Sequence, residues 1–282
     1  MKLDQVSKTI IDHKLYYKFP RITNLIASLK TKPYFLLVGA QKCGTTTLYD
    51  QLIDLPMFQP AYAKEIPDLS FEHCKIDLYR LQFPFKKKGK LTGNACHLDM
   101  YSPYGAINIK RYFPDAKIIF LLRDPVDRAY SHFNMDKKFN WIGEAVKFED
   151  YVDFEMSILK NLENIYDLKE LYKNTRLFNF PFGLPIGKGI YYSQIKHFND
   201  LDLKYLTVSL EIFNKDFENE INRILNFLEI NEKPEFKINM KKSNVSKSQN
   251  KIPKAIEERL IDFYKPHNKK LFDLLGTEYP WK

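Results

Sequence analysis

A short apolar run that leads into a glycine-bounded loop is the feature that most restricts how this chain can fold. Residues 34–39 (Tyr-Phe-Leu-Leu-Val-Gly) are almost continuously apolar, as in a strand that is buried on both faces. The loop Gly39–Gly44 follows, and after it Leu48, Leu52 and Ile53 recur at helical spacing. The pattern therefore predicts a buried strand, a tight loop and a helix in direct succession.

The same succession recurs further along the chain. Residues 117–122 (Lys-Ile-Ile-Phe-Leu-Leu) form a second apolar run, and Asp124 with Pro125 then supplies a helix N-cap and a first helical residue. Weaker strand patterns lie at 90–95 and 205–210, separated by helical patterns. Because alternating strands and helices are what a parallel sheet with helical crossovers requires, we predict an α/β fold with a central parallel β-sheet flanked by helices.

The chain shows no internal repeat and no Gly/Ser/Pro-rich linker, so we predict a single domain over residues 1–282. Within it, residues 1–32 are predicted to form an N-terminal helical extension. Apolar residues at helical spacing predict packing helices over 149–173 and 214–228. The polar segment 232–253 contains two prolines and predicts a long loop that covers a cofactor or substrate.

The charge of the chain narrows its partners to anions. A net charge of +9 attracts nucleic acid, anionic lipid, acidic polysaccharide or a phosphorylated nucleotide, and charge alone does not choose among them. The lysine-rich stretches 86–90 and 241–251 are equally consistent with solvated loops.

Cysteine usage and hydropathy indicate the compartment. Cys43, Cys74 and Cys96 lack the spacing of a disulfide framework or a zinc site, so we expect a reducing environment and no metal. The first 30 residues mix apolar with charged side chains, and no apolar run reaches the about 18 residues that span a bilayer. We therefore expect a cytoplasmic protein with no signal peptide, no membrane anchor and no stable membrane insertion.

The predicted loop has the frame of a nucleotide-phosphate loop but not its usual lysine. Between Gly39 and Gly44 the spacing is Gly-x-x-x-x-Gly, whose backbone N–H groups converge on an anion together with the following helix N-terminus. In nucleoside triphosphatases a lysine follows the second glycine, whereas here Thr45 stands in that place and Lys42 precedes Gly44. The donor therefore need not be a triphosphate. The alternative is a tight strand-to-helix turn in which threonines cap the helix.

At these residues the sequence resembles the sulfotransferases that use 3′-phosphoadenosine 5′-phosphosulfate (PAPS), whose phosphosulfate loop has the arrangement Lys42-x-Gly44-Thr45-Thr46. The resemblance implies a P-loop-like sulfotransferase fold and a Lys42 that contacts the phosphosulfate, including the bridging oxygen of the leaving phosphate. It also implies that the donor is bound by the residues of the loop and of the first helical turn, namely Gln41, Lys42, Cys43, Gly44, Thr45, Thr46 and Thr47.

A second segment carries the resemblance independently. The stretch 117–133 is similar to the family's 3′-phosphate motif, in which an arginine at a strand end and a serine eight residues later bind that phosphate; here these are Arg123 and Ser131. An arginine fork makes two parallel hydrogen bonds to a phosphate, and a helix hydroxyl adds a third donor. The alternative is that Arg123 pairs with Asp127 and that Ser131 is incidental.

Other segments resemble the carbohydrate branch, in particular the heparan-sulfate-type enzymes. Gly189-Ile-Tyr191 with Gln194 looks like their Gly-x-Tyr segment, and residues 263–271 and Trp281 look like their C-terminal end. Phe227-Leu228 is similar to their Phe-Leu-Gly region. In the polar loop, Lys247 and Ser248 stand where that branch has Ser-Lys-Gly-Arg, with Ser248 and Gln249 in place of the Gly and Arg. The resemblance implies that Lys247 and Ser248 contribute to cofactor binding.

The catalytic base is predicted from a third similarity. Lys64-Glu65 follows the first helix and resembles the Lys-Glu motif of the heparan-sulfate branch, whose Glu is the general base, so Glu65 inherits that role. The chain departs from the motif because Pro67, Asp68 and Leu69 replace the residues that follow it, so the acceptor pocket must differ. Three interpretations are possible. Glu65 is the base, or Lys64 and Glu65 are only an exposed charge pair, or the base is a histidine, His97 or His132.

These patterns predict an enzyme that moves a sulfuryl group from PAPS to an acceptor hydroxyl or amine, most readily that of a carbohydrate, without a metal and without nucleic acid as partner. One rival is a P-loop kinase or ATPase in which Asp124 is the Mg²⁺-associated carboxylate. Another is a non-catalytic module that binds acidic polysaccharide or nucleic acid through its basic surface. The chain lacks the lysine with which a P-loop kinase or ATPase contacts the triphosphate. A non-catalytic module would explain neither of the two phosphate motifs.

Overall fold

The structure is a computed structural model, and it describes residues 18–162, 164–170, 173, 184–230 and 251–282. Its centre is a parallel sheet of strands β1 (Phe35–Gly39), β2 (Gly93–Ala95), β3 (Lys117–Leu122) and β4 (Tyr205–Ser209), in the spatial order β2-β1-β3-β4. All three strand pairs are parallel. The predicted α/β class and the parallel sheet are confirmed.

Helices connect the strands and cover the sheet. Their bounds are α1 Pro20–Ser28, α2 Thr45–Ile53, α3 Ile76–Leu81, α4 Leu98–Tyr101, α5 Gly105–Tyr112, α6 Pro125–Lys138, α7 Phe148–Lys160, α8 Tyr191–Asp200, α9 Leu210–Lys215, α10 Phe217–Phe227 and α11 Lys254–Leu275. Short 3-10 turns lie at Asp68–Ser70 and Gly187–Gly189. None of these helices combines the length and the apolar character that crossing a bilayer requires.

The two strongest apolar runs became the two central strands. Every residue of β1 is buried, and β3 is buried except at Lys117, because sheet neighbours lie on both sides and helices cover both faces. One hydrophobic cluster surrounds this sheet, and a second is built from α6, α7, residues 184–190 and α11. The sheet therefore holds the ends of β1 and β3 side by side.

The helix predicted over 149–173 is interrupted after Lys160, and residues 168–170 are helical again. Residues Phe148–Lys160 are helical, and Asn161 is the C-cap. Asn164 then forms a side-chain turn, in which its Oδ1 accepts from the N–H of Tyr166 at 3.0 Å and its carbonyl accepts from the N–H of Asp167 at 2.9 Å. Asparagine side chains compete with the helical backbone in this way, and apolar spacing alone does not register that competition.

Asp99 in α4 is a buried carboxyl group. Its Oδ1 accepts a hydrogen bond from Ser70 Oγ at 2.6 Å, and burial raises its pKa to about 7. A pKa raised above the unfolded value of 3.8 contributes stability that is present at low pH and is lost as the pH rises through 7.

We expect Asp99→Asn to remove this pH dependence. The wild type should lose stability between about pH 5 and pH 8 as Asp99 ionises, whereas the amide of the variant cannot ionise. The free energy of unfolding of the variant minus that of the wild type should therefore rise by roughly 2 kcal/mol over this range. Urea denaturation at both pH values measures the change. An offset that is the same at both values would contradict the raised pKa.

Candidate functional site

The loop between β1 and α2 opens at the carboxyl end of the sheet. The N–H of Ala40 donates to the carbonyl of Leu121 on β3 at 2.7 Å, which ties the loop to the neighbouring strand. Lys42 and Gly44 both have left-handed backbone, with φ of 70° and 86°. A side chain at Gly44 would be strained by this φ and would also lie 3.2 Å from Leu210. The residue before α2 must therefore be a glycine.

Gly44 is the N-cap of α2, so Thr45, Thr46 and Thr47 form its first turn at the loop. Helical geometry supplies no acceptor within the helix for the N–H groups of a first turn, and the helix dipole there favours an anion. Cys43 is turned the other way: its side chain is buried, its N–H donates to the Ala40 carbonyl at 3.3 Å, and burial raises the pKa of its thiol to about 11. Its thiol therefore belongs to the core.

Two cations meet at the junction of β1 and β3. Arg123 follows β3, and its Nη1 donates to the carbonyl oxygen of Lys42 at 3.4 Å. The pKa of Lys42 is lowered, first by burial and then by the positive charges of Arg123 and Lys138. Cations that repel one another at partly buried positions favour a bound anion, which would relieve the repulsion.

The segment after β3 is built as the sequence predicted. Asp124 caps α6, with its Oδ1 accepting from the N–H groups of Val126 at 2.8 Å and Asp127 at 3.3 Å, while its Oδ2 accepts from the N–H of Lys282 at 2.8 Å. Both oxygens of Asp124 are thus used structurally, which weakens its assignment as a Mg²⁺-associated carboxylate.

Ser131 lies two turns into the helix that Asp124 caps, and it is half-buried. The alternative partner for Arg123 is engaged elsewhere, because Asp127 pairs with Lys282 Nζ at 2.8 Å. Arg123 thus directly precedes the capping residue of α6, and Ser131 lies within that helix.

The Gly-x-Tyr segment holds the backbone of Arg123 in place. Tyr191 donates its hydroxyl to the carbonyl of Arg123 at 2.9 Å. Gln194 donates to the carbonyls of Lys188 at 3.0 Å and Ile190 at 3.1 Å, which fixes the turn before α8. A side chain at Gly189 would come within 2.6 Å of the Tyr264 hydroxyl. These residues position the site from within the protein and are not placed to touch a ligand.

Glu65 lies at the carboxyl end of the sheet edge. Asn94 of β2 holds the next residue, Ile66, on both sides: it accepts from the Ile66 N–H at 3.4 Å and donates to the Ile66 carbonyl at 3.2 Å. Glu65 is exposed with φ of 61°, and its negative charge acts on Cys96, directly after β2. Lys64 is paired instead with Asp50, at 3.7 Å. Glu65 is thus an exposed carboxylate whose charge acts on Lys64, while the ion pair of Lys64 is made with Asp50.

The positive charges of nearby cations act on both His97 and His132. Burial lowers the pKa of each well below its usual value, and the charges of Lys188, Arg128 and Lys42 lower it further. His132 Nε2 lies 3.5 Å from Asp136 on the next turn of α6. Both imidazoles are therefore neutral near pH 7, and a proton accepted there would add to an existing positive charge.

A buried charged cluster behind the loop was missed in the sequence reasoning. Lys188 Nζ donates to Gln41 Oε1 at 2.9 Å, and burial together with Arg128 lowers the pKa of Lys188 to about 7. Glu155 accepts from the N–H of Ile186 at 2.6 Å and of Gly187 at 3.4 Å, and burial raises its pKa to about 8. The available signal was a lysine between two glycines, directly before the Gly-x-Tyr segment.

The predicted cofactor residues Lys247 and Ser248 lie outside the described residues, as does most of the 232–253 loop. Within the described ranges, no group of His, Cys, Asp and Glu side chains is arranged to hold a metal ion. The structure therefore brings together the phosphate loop, Arg123 and Lys188, with Glu65 at the same end of the sheet.

Known proteins resemble the chain across most of its length. It is 24% identical over 316 residues to "Carbohydrate sulfotransferase 15" of Mus musculus, covering 90% of this chain and 55% of that protein. It is 23% identical over 320 residues to "Membrane-associated sulfotransferase kil1" of Dictyostelium discoideum, covering 89% of this chain and 66% of that protein. The chain thus spans little more than half the length of the first of these relatives.

A solved structure shares the fold. The crystal structure of a sulfotransferase from Alicyclobacillus acidocaldarius matches with a TM-score of 0.67 at 22% identity, covering 88% of this chain and 98% of that one. The family model described as "Sulfotransferase domain" matches residues 32–264, which include the phosphate loop, Glu65, Arg123 and Ser131. The chain therefore belongs to the sulfotransferase domain family.

Proposed function

We propose that this sulfotransferase takes its sulfuryl group from PAPS and transfers it to a hydroxyl or amine of a carbohydrate. The observation that carries the proposal is the convergence of Lys42 and Arg123 at the ends of β1 and β3, where Arg123 Nη1 donates to the Lys42 carbonyl at 3.4 Å. PAPS has phosphate groups at its 5′ and 3′ positions, and the cations that follow two adjacent strands give each of these groups a positively charged partner.

The donor supplies an activated sulfuryl group, and the chain supplies charge and position. Lys42 neutralises charge that develops on the departing phosphate, while the first-turn N–H groups of α2 hold it. Arg123 and Ser131 bind the 3′-phosphate, with the Arg123 carbonyl anchored by Tyr191 at 2.9 Å. Binding at both ends orients the donor for transfer in line with the acceptor.

Glu65 takes the acceptor proton. It is exposed at the carboxyl end of β2, beside the strand that feeds the phosphate loop, so an acceptor can reach it from solvent. An ionised carboxylate accepts a proton without adding positive charge to a site that already holds Lys42 and Arg123. His97 and His132 would add positive charge, which is why we rank them below Glu65.

A carbohydrate acceptor is supported by the relatives and by the charge. Two of the chain's relatives are proteins named as sulfotransferases, one of them a carbohydrate sulfotransferase. The net charge of +9 favours acceptors that already bear negative groups, as acidic glycans do.

Titration with nucleotides tests the donor. Because Arg123 and Ser131 are assigned to a 3′-phosphate, the product nucleotide 3′-phosphoadenosine 5′-phosphate (PAP) should bind at least about tenfold more tightly than ADP or ATP, without Mg²⁺. Calorimetry of the three nucleotides, with and without Mg²⁺, measures this. Equal affinities for PAP and ADP, or binding that depends strictly on Mg²⁺, would refute PAPS as the donor.

The cluster at Lys188 predicts a pH dependence of nucleotide binding. The pKa of Lys188 is about 7 in the free protein, and a nearby bound anion raises it, so binding takes up a proton above that pH. PAP affinity should therefore be fully present below about pH 7 and should fall several-fold by about pH 9. Calorimetry across this range gives the slope.

Lys188→Met is the variant that isolates this effect. Its PAP affinity should change less with pH than that of the wild type, and it should be weaker near pH 7 because Gln41 loses its partner. A variant that keeps the full slope would assign the pH dependence to Lys42 instead.

A further inference from the structure

The outer face of α1 carries a stripe of exposed apolar side chains. Phe19, Ile22, Leu25 and Leu29 are 45%, 54%, 64% and 52% exposed, and the last three follow helical spacing along one side. The other side of the helix is used for packing, where Thr23 and Ala27 are buried against α3. The stripe therefore lies on a different face of α1 from the one that packs against the domain.

Basic residues border this stripe. Lys18 and Arg21 are exposed at its beginning, and Lys86–Lys88 are exposed at its end. The loop that carries Lys86–Lys88 is joined to the helix end, because the N–H of Lys86 donates to the carbonyl of Leu29 at 3.1 Å. Five cations thus lie around four apolar side chains, and we call this set of nine residues the α1 patch.

The α1 patch lies at the opposite end of the sheet from the phosphate loop. The N–H of Thr31 donates to the carbonyl of Pro84, and that of Tyr34 to the carbonyl of Thr92, both at 2.8 Å. These bonds place the α1 patch at the amino ends of β1 and β2, while Gly44 and Arg123 follow the carboxyl ends of β1 and β3. A partner bound to the patch leaves the sulfotransferase site open.

We propose that the α1 patch docks the protein on the surface of an anionic lipid bilayer. A helix that presents large aliphatic and aromatic side chains beside lysine and arginine binds at the level of the lipid headgroups, where the apolar groups leave water and the cations meet lipid phosphates. The binding is peripheral and reversible, and it needs no spanning segment.

Charge distinguishes this occupant from others. A symmetric dimer through the α1 patch would set the same residues of two copies against each other, so Lys18, Arg21 and Lys86–Lys88 would face like charges. A nucleic acid would match the cations but would leave the apolar stripe in water. Residues 1–17 offer no net negative charge either, since they contain three lysines and two aspartates.

Sedimentation of the full chain with lipid vesicles tests the proposal. We expect binding to vesicles of phosphatidylcholine with phosphatidylserine, and much weaker binding to vesicles of phosphatidylcholine alone. Replacing Lys86, Lys87 and Lys88 together with Gln should weaken binding to the anionic vesicles at least about tenfold. Replacing Ile22 and Leu25 together with Gln should do the same, since two side chains no longer leave water.

Matched variants control for charge and for exposed apolar surface. The triple change Lys160→Gln, Lys265→Gln and Lys269→Gln removes the same charge from α7 and α11, and Phe154→Gln removes an exposed ring from α7. Both should bind vesicles as the wild type does. PAP affinity should be unchanged in every variant, which shows that each of them is folded and separates this test from that of the donor.

Three results would overturn the proposal. One is no binding to phosphatidylserine vesicles. Another is equal loss in the triple-lysine variant and its matched control, which would assign binding to net charge. The third is a dimer, seen by analytical ultracentrifugation without lipid, that Ile22→Gln with Leu25→Gln dissociates, because the apolar stripe would then be covered by a second copy.

Discussion

Replacing Glu65 with glutamine is expected to lower turnover by roughly 10²–10⁴-fold while PAP affinity stays almost unchanged. The amide keeps the shape of the side chain but cannot accept the acceptor proton. Asn94 holds the neighbouring residue Ile66 through two hydrogen bonds, so the backbone at position 65 should stay in place. Steady-state turnover with a saturating acceptor, measured beside calorimetric PAP titration, separates the two quantities.

Glu72→Gln is the matched control, because it removes another exposed carboxylate a few residues further along the same segment and should leave turnover unchanged. Near-native turnover of Glu65→Gln, where the chemical step limits the rate, would place the base elsewhere. His97 and His132 would then be the next residues to replace, despite the cations around them.

Truncating Arg123 to alanine is expected to cost about 2–5 kcal/mol of PAP binding, since a charge-assisted contact with the 3′-phosphate is lost from a partly buried site. The same change should affect ADP much less, because ADP has no phosphate at that position. Comparing the two nucleotides by calorimetry removes any general effect of the substitution on the loop, including the loss of the bond from Arg123 to the Lys42 carbonyl.

Arg123→Lys serves as the conservative comparison. It keeps the positive charge but not the two-pronged guanidinium, so its PAP affinity should fall between those of the wild type and the alanine variant. An alanine variant that loses PAP and ADP affinity equally would show that Arg123 supports the loop and does not recognise the 3′-phosphate. Lys42→Ala should in contrast lower both turnover and nucleotide affinity, because its charge acts in each.

The elements closest to the phosphate loop could be predicted from local sequence. The runs at 34–39 and 117–122 had to be strands buried on both faces, and they became β1 and β3 at nearly the predicted bounds. Asp124 before Pro125 had to cap a helix, and it does. Each of these predictions rests on backbone hydrogen bonding and apolar burial within a few neighbouring residues, which is information that a local pattern contains.

Other features depended on competition that the pattern does not show. The helix predicted over 149–173 is interrupted after Lys160 by a C-cap at Asn161 and a side-chain turn at Asn164, and residues 168–170 are helical again. The apolar residues of α1 predict a helix, but they do not show that part of its apolar side stays exposed. Which apolar face is covered depends on what packs there, and α3 covers only the side that contains Ala27.

The sequence by itself determined the parallel α/β architecture, the glycine-bounded loop and the positions of Lys42 and Arg123, because each is set by residues that are neighbours in the chain. Only the tertiary structure decided that Lys188 bonds to Gln41, that Arg128 and Glu155 are buried behind the loop, and that Lys64 pairs with Asp50 and leaves Glu65 exposed. These contacts join residues far apart in sequence, and burial sets the charge of Lys188 and Glu155, so their chemistry exists only once the chain has folded.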